Sequence, residues 1–177
     1  MKKSALAAAF GLLLTSCASS PPTIPPVSQV DLPRFMGKWY VIAHVEGPFD
    51  KGAHNAVETY ALRPDGRIAT VYQQRKGSFD APEKTMHPVG RVVPGTGNAV
   101  WGMQFMWPIQ AEYVIVDIAP DYSDTIVARS KRDYAWIMAR TPIMDEARYR
   151  ALVKKLVDMG YDASQLRRVP QRWPAGH

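Results

Sequence analysis

The sequence predicts an all-β protein: an eight-stranded antiparallel up-and-down β-barrel with one C-terminal α-helix packed outside. Three observations predict it. Between about residues 38 and 140 of the 177-residue chain, eight short stretches alternate apolar with polar residues, the period of a strand with one buried face. Clusters of glycine, proline and aspartate separate them at intervals too short for crossover helices. Only after the eighth stretch does a helical period begin. A meander of this kind left open would expose two unpaired edges, and closing it on itself removes both.

Leu32 to Met36 reads as a short turn of helix closing one end. The first strand, about 38–46, follows Gly37 and places Trp39, Val41, Ala43 and Val45 on one side and Tyr40, Ile42, His44 and Glu46 on the other. Gly47, Pro48, Asp50 and Gly52 make a loop too long for a tight hairpin. The second strand, 55–63, turns at Pro64-Asp65-Gly66 into the third, 67–75. Residues 76–84 are polar and read as loop. A fourth strand, 89–93, ends at Pro94-Gly95-Thr96-Gly97-Asn98, and a fifth spans 99–106. The sixth, 112–118, is β-branched and lies between Pro108 and Pro120; the seventh and eighth cover 125–130 and 134–140. Asp145 is a natural N-cap for a helix whose apolar face carries Tyr149, Leu152, Val153 and Leu156 and which stops at Gly160. One helix cannot cover such a sheet, so it belongs outside the closed barrel, where Tyr40 and Ile42 would help to receive it. Residues 165–173 are expected to return as a short extra strand.

Ahead of the barrel, residues 1–16 have the form of a secretory signal: Lys2 and Lys3, an apolar run from Ala5 to Leu14, then Thr15 and Ser16. The run is too short to span a bilayer. Leu14-Thr15-Ser16-Cys17 resembles the lipobox of bacterial lipoproteins, in which the cysteine is acylated and becomes the first residue. Cys17 is the sole cysteine, which also excludes an internal disulfide. Ala18, where an inner-membrane retention signal would have aspartate, implies by the same resemblance the cell outer membrane. Residues 17–30, with Pro21, Pro22, Pro25 and Pro26, read as a lipidated cysteine followed by an extended proline-rich tether. The domain is expected over 31–173 and a tail over 174–177.

The 22 basic residues lose Lys2 and Lys3 with the signal, leaving 20 against 16 acidic ones, a net charge of +4. The basic residues are scattered, so no nucleic-acid partner is expected. His44, His54, His87 and His177 lack metal-ligand spacing, and no nucleophile elbow or phosphate-binding glycine loop occurs. No metal, no cofactor and no catalytic residue is called for.

Gly37-x-Trp39 opening the first strand, eight meandering strands, Arg140 ending the eighth in Ala135-Trp136-Ile137-Met138-Ala139-Arg140-Thr141-Pro142, and the following helix together resemble the lipocalins over about Leu32 to Arg172. Within them the similarity is to bacterial outer-membrane lipocalins related to apolipoprotein D. A second family motif, Thr-Asp-Tyr, is met only in part by Ala111-Glu112-Tyr113. The resemblance implies a structural closed end formed by Gly37, Trp39 and Arg140, with the guanidinium lying across the indole. Combined with alternation, it implies an inward lining. Tyr60 and Leu62 come from the second strand, Ile68, Thr70 and Tyr72 from the third, and Trp101, Met103 and Phe105 from the fifth. Tyr113 and Ile115 of the sixth and Trp136 and Met138 of the eighth complete it. Pattern alone leaves open whether these side chains surround a cavity or fill a dry core.

Read with the resemblance, the lining suits an elongated apolar molecule, a fatty acid or lysophospholipid, bound, stored or ferried on the periplasmic face of the outer membrane by a non-enzymatic protein. A homodimer is left open. Two rivals stand beside this reading. One is a lipid-modifying enzyme on the same barrel, drawing on Glu58, Asp117 and His87; the other is a structural envelope lipoprotein with a filled barrel. Glu58 and Asp117 fall on the nominal inward face, where an unpaired carboxylate is costly. The mouth, a partner, or a register shifted by one would each explain them.

Overall fold

The protein, described by a computed structural model, has its structure defined over residues 23–174. The signal 1–16, Cys17 and the last three residues lie outside the described residues. Ten strands occur among these: β1 (Gly37–Val45), β2 (Ala53–Leu62), β3 (Ile68–Lys76), β4 (Glu83–Met86), β5 (Val89–Val92), β6 (Val100–Met106), β7 (Ile109–Ile118), β8 (Asp124–Ala128), β9 (Ala135–Ala139) and β10 (Leu166–Arg168). All pairings are antiparallel, mostly between neighbours in sequence, and β1 pairs with β9, so the sheet closes as the alternation predicts. Eight strands make the barrel wall. The two others are the predicted β10, which flanks β1 opposite Ala43 to Val45, and β4. Residues 83–86, the first two of which read as polar loop in the sequence, extend β3 by pairing with Tyr72 to Arg75, and Gln73 also donates to Glu83 Oε1.

The chain packs in two layers. Inside, α1 (Leu32–Phe35), capped by Asp31, drives Phe35 into the closed end among Trp39, Tyr60, Ile68, Trp101, Ile115 and Met138. Outside, α2 (Glu146–Asp158), capped by Asp145, sets Leu152 and Leu156 in a cluster with Tyr40, Ile42, Val114, Val116, Ile126 and Ile137. Burying these side chains removes apolar surface on both faces of the sheet, each fully buried leucine contributing roughly 1.5–3 kcal/mol.

Two bulges correct the predicted facing. The pairing of β1 with β9 steps from Val41–Met138 to Ala43–Ile137, so Ile42 is the extra residue. Beyond it Ala43 and Val45 face outward, and His44, expected outside, points in and is 1% exposed. In β7 the step from Ile115–Val127 to Asp117–Ile126 does the same at Val116. Asp117 therefore leaves the inward face for the groove under α2, where Lys155 Nζ lies 2.5 Å from it and Arg148 3.8 Å. An extra residue reverses the alternation that a period of two would continue.

The proline-rich segment also departs from expectation. Residues 24–30 do not stand off the domain but run along its wall. Ile24 and Val30 are buried. Ile24 N donates to Ser130 Oγ, Val27 N to Ile115 O and Val30 N to Gly97 O. Extended backbone needs no internal hydrogen bonds, so its donors are free to pair with the barrel.

Candidate ligand-binding site

The closed half of the barrel is solid. Trp101 stacks on Tyr113 at 4.8 Å, Phe35 meets Trp101 edge-on at 5.4 Å, and Tyr60 lies 5.7 Å from Trp101. Their polar atoms are paired within this plug. Trp39 Nε1 donates to Phe35 O, Trp101 Nε1 donates to Asn98 O, and the Tyr60 and Tyr113 hydroxyls share a hydrogen bond of 2.7 Å. Beneath it the Arg140 guanidinium lies 3.7 Å from the Trp39 ring centroid and donates to the carbonyls of Lys38, Arg34 and Phe35. Gly37 has φ +90, a backbone conformation that side chains rarely adopt, and Arg140 Nη1 packs 3.5 Å from where a Cβ would sit.

Above the plug the barrel opens into a cavity of about 350 Å³. Thr70, Tyr72, Met103, Phe105, Tyr113 and Trp136 of the predicted lining border it. Tyr60, Ile68, Trp101, Ile115 and Met138 also face inward but are spent in the plug. Leu62 is neither: at the end of β2, beside the turn to β3, it is 45% exposed, because the barrel wall ends before the alternation does. The mouth adds residues outside the expected lining, on loops and strand ends. Phe49 stacks parallel to Phe105 at 6.3 Å, Tyr134 stacks on Trp136 at 5.6 Å, and the Arg129 guanidinium lies 5.2 Å from the Tyr134 ring centroid. Gly47 is required there. A Cβ on it would collide with the Tyr134 ring. Glycine before proline after a strand is the only sequence signal for this position, and it does not distinguish a turn from a close approach.

Three polar groups face the cavity from one side. Glu58 is 7% exposed and makes no hydrogen bond among the described residues, and burial, with the Asp50 carboxylate adding to it, pushes its carboxyl up to about 8. It is thus mostly protonated at neutral pH, set below the mouth and not at it. The Tyr72 hydroxyl is buried without a partner, its ionisation driven far upward by burial and by Asp50 and Glu58. Asp50 itself is held by the His44 ring at 2.9 Å and by Gly47 N at 2.6 Å. Protonated Glu58 and Tyr72 leave two donors aimed into an otherwise apolar space, which an oxygen-bearing occupant would satisfy.

Glu112, which with Ala111 departs from the family's Thr-Asp-Tyr motif, clamps the β8–β9 loop, accepting from Ser130 N at 2.6 Å and Ser130 Oγ at 2.8 Å. The three residues named for an enzymatic rival do not converge. Glu58 is in the cavity, Asp117 is under α2 and His87 is exposed on the wall. No group of metal-ligating side chains occurs among the described residues.

The family described as a lipocalin-like domain matches residues 30–171. Outer membrane lipoprotein Blc of Vibrio cholerae is 27% identical over 169 residues, covering 91% of this chain and 94% of that protein. Temperature-induced lipocalin-1 of Arabidopsis thaliana is 31% identical over 154 residues, covering 82% and 81%. Among solved structures, insecticyanin of the tobacco hornworm Manduca sexta superposes with a TM-score of 0.65 at 16% identity, covering 88% of this chain and 87% of that one. None of these names is that of an enzyme. The barrel, its plugged end under Arg140 and the match over most of the chain lead to one conclusion: the protein belongs to the lipocalin family.

Proposed function

We propose that this lipocalin is a lipid-anchored protein of the bacterial outer membrane that holds a fatty acid or lysophospholipid on the periplasmic side. The observation that carries the reading is the half-filled barrel: an apolar cavity of about 350 Å³, open at one end and walled by Met103, Phe105 and Trp136. Its size falls within the range of small-molecule sites. An acyl chain gains roughly 0.8 kcal/mol for each CH₂ removed from water. Arg129 and Lys131 at the mouth suit an anionic head group, whereas Tyr72 and Glu58 suit an oxygen carried deeper. The anchor rests on the lipobox-like Leu14 to Cys17 and on the likeness to proteins named outer membrane lipoproteins. A non-enzymatic role accords with the separation of Glu58, Asp117 and His87.

The test is a lipid extract of the purified protein analysed by mass. Co-purified fatty acid or lysophospholipid, displaced by a fluorescent fatty acid, is expected; an empty protein that takes up no fluorescent fatty acid would refute the binding role. For the anchor, globomycin or Cys17→Ala is expected to change the protein's membrane fractionation, and an unchanged fractionation would refute it.

A further inference from the structure

The side chains most exposed to water include the most apolar ones, and many of these are gathered at the mouth. Trp107 at the β6–β7 tip is 82% exposed, with Ile109 at 67% and Met106 at 60% beside it, and Phe49 of the facing loop at 53%. Met106, Ile109 and Phe49 also line the entrance, so the patch is continuous with the cavity. Leaving such a patch in water costs free energy unless something covers it.

Two further observations say what covers it. The first is charge. Lys51, Lys76, Lys84 and Lys131 lie at this end, exposed and without an ion pair among the described residues. Of the neighbouring carboxylates, Asp133 is ion-paired with Arg129 and Asp80 with Arg172, while Glu83 and Glu112 accept hydrogen bonds from Gln73 and Ser130. Unpaired lysines around an exposed tryptophan match an anionic lipid surface, in which indole rings settle at head-group depth and each lysine near the surface contributes about 1 kcal/mol. The second is where the chain leaves the domain. Residues 24–30 climb the wall from Gly97 at the closed end to Ser130, whose loop borders the cavity. Ile24 therefore sits at the rim. Cys17 precedes it by seven residues, at most roughly 25 Å of extended chain.

We propose that the mouth of this barrel docks directly on an anionic lipid bilayer, with the Met106 to Ile109 tip in the head-group layer. The inference rests in part on the anchor of the preceding reading: an acylated Cys17 would hold this same rim against the membrane. Docked so, the cavity opens onto lipid, and an acyl chain can enter without crossing water.

The unacylated Cys17→Ala protein, made without residues 1–16, tests docking apart from anchoring. It is floated with vesicles of phosphatidylethanolamine and phosphatidylglycerol, and with vesicles of phosphatidylcholine. Co-flotation with the anionic vesicles is expected, weakened about ten-fold by Trp107→Glu and by the Lys51→Glu/Lys84→Glu pair, retained in Trp107→Phe, and reduced by salt. No flotation, or flotation unchanged by Trp107→Glu, would overturn the proposal. So would dimers in sedimentation velocity that Trp107→Glu dissolves, if vesicles do not bind, since a second copy would then cover the patch. Uptake of a fluorescent fatty acid without vesicles reports the cavity separately, so either reading can fail alone. Should Trp107→Glu not fold, brominated lipid serves with the wild-type side chain: quenching lost in Trp107→Phe supports docking, and its absence opposes it.

Discussion

Arg140 lies flat on the Trp39 indole, its guanidinium 3.7 Å from the ring centroid, while its nitrogens hold three carbonyls of the chain entering the barrel. Residues more than a hundred positions apart are thus joined at one point. The contact unites the last wall strand, the first wall strand and the helical turn before it.

Arg140→Ala is expected to destabilise the fold by roughly 2–4 kcal/mol, the cation–π contact plus carbonyls left without a donor. Burial lowers the Arg140 group only to about 10, so it remains charged at neutral pH. Arg140→Lys should recover less than half the loss, because an ammonium cannot present the planar fork. Urea unfolding of the three proteins measures this.

Glu58 makes stability fall as pH rises. Its carboxyl titrates near 4.5 when unfolded and near 8 when folded. Between those values the folded chain keeps a proton that the unfolded chain has released. The contribution is therefore complete below about 4.5, declines through the window and is gone above about 8, a change of roughly 3–5 kcal/mol. Glu58→Gln should flatten the profile when melting is followed across that range.

Tyr72→Phe removes a buried hydroxyl that has no hydrogen-bond partner among the described residues. The empty variant should be more stable by roughly 0.5–1.5 kcal/mol. A ligand carrying an oxygen at that depth should bind it less tightly than wild type, while a hydrocarbon should not. Calorimetric unfolding with and without each ligand separates the two effects.

Gly47→Ala forces the Tyr134 ring aside, since the new methyl would overlap it. Overpacking of this kind costs roughly 1–3 kcal/mol. The β1–β2 and β8–β9 loops should part at the mouth, and fluorescent fatty-acid affinity should fall about ten-fold. Titration of the variant checks it.

Closure, strand order and the outer helix were legible in the sequence because each rests on a repeating period: two for the wall, 3.6 for Leu152 and Leu156. What breaks a period was not. Ile42 and Val116 carry no mark of a bulge, yet each reverses the facing of the residues after it, turning His44 inward and Asp117 outward. Strand β4 has no such period, because its four residues bury little and pair with β3 mainly through the backbone. Alternation read with the family resemblance placed the inward residues of the site except Leu62, but not the depth at which filling stops. Depth depends on Phe35, delivered from a helical turn before the barrel. Nor could a repeat reveal Phe49 or Asp50, which reach the cavity from the β1–β2 loop.

The aromatic plug has one more consequence. With Trp101 and Tyr113 stacked across the bore, the barrel acts as a gauge of fixed length. A guest longer than the cavity would halt at Tyr113 and leave its surplus length outside, so on the proposed function chain length would be sorted by how much remains uncovered.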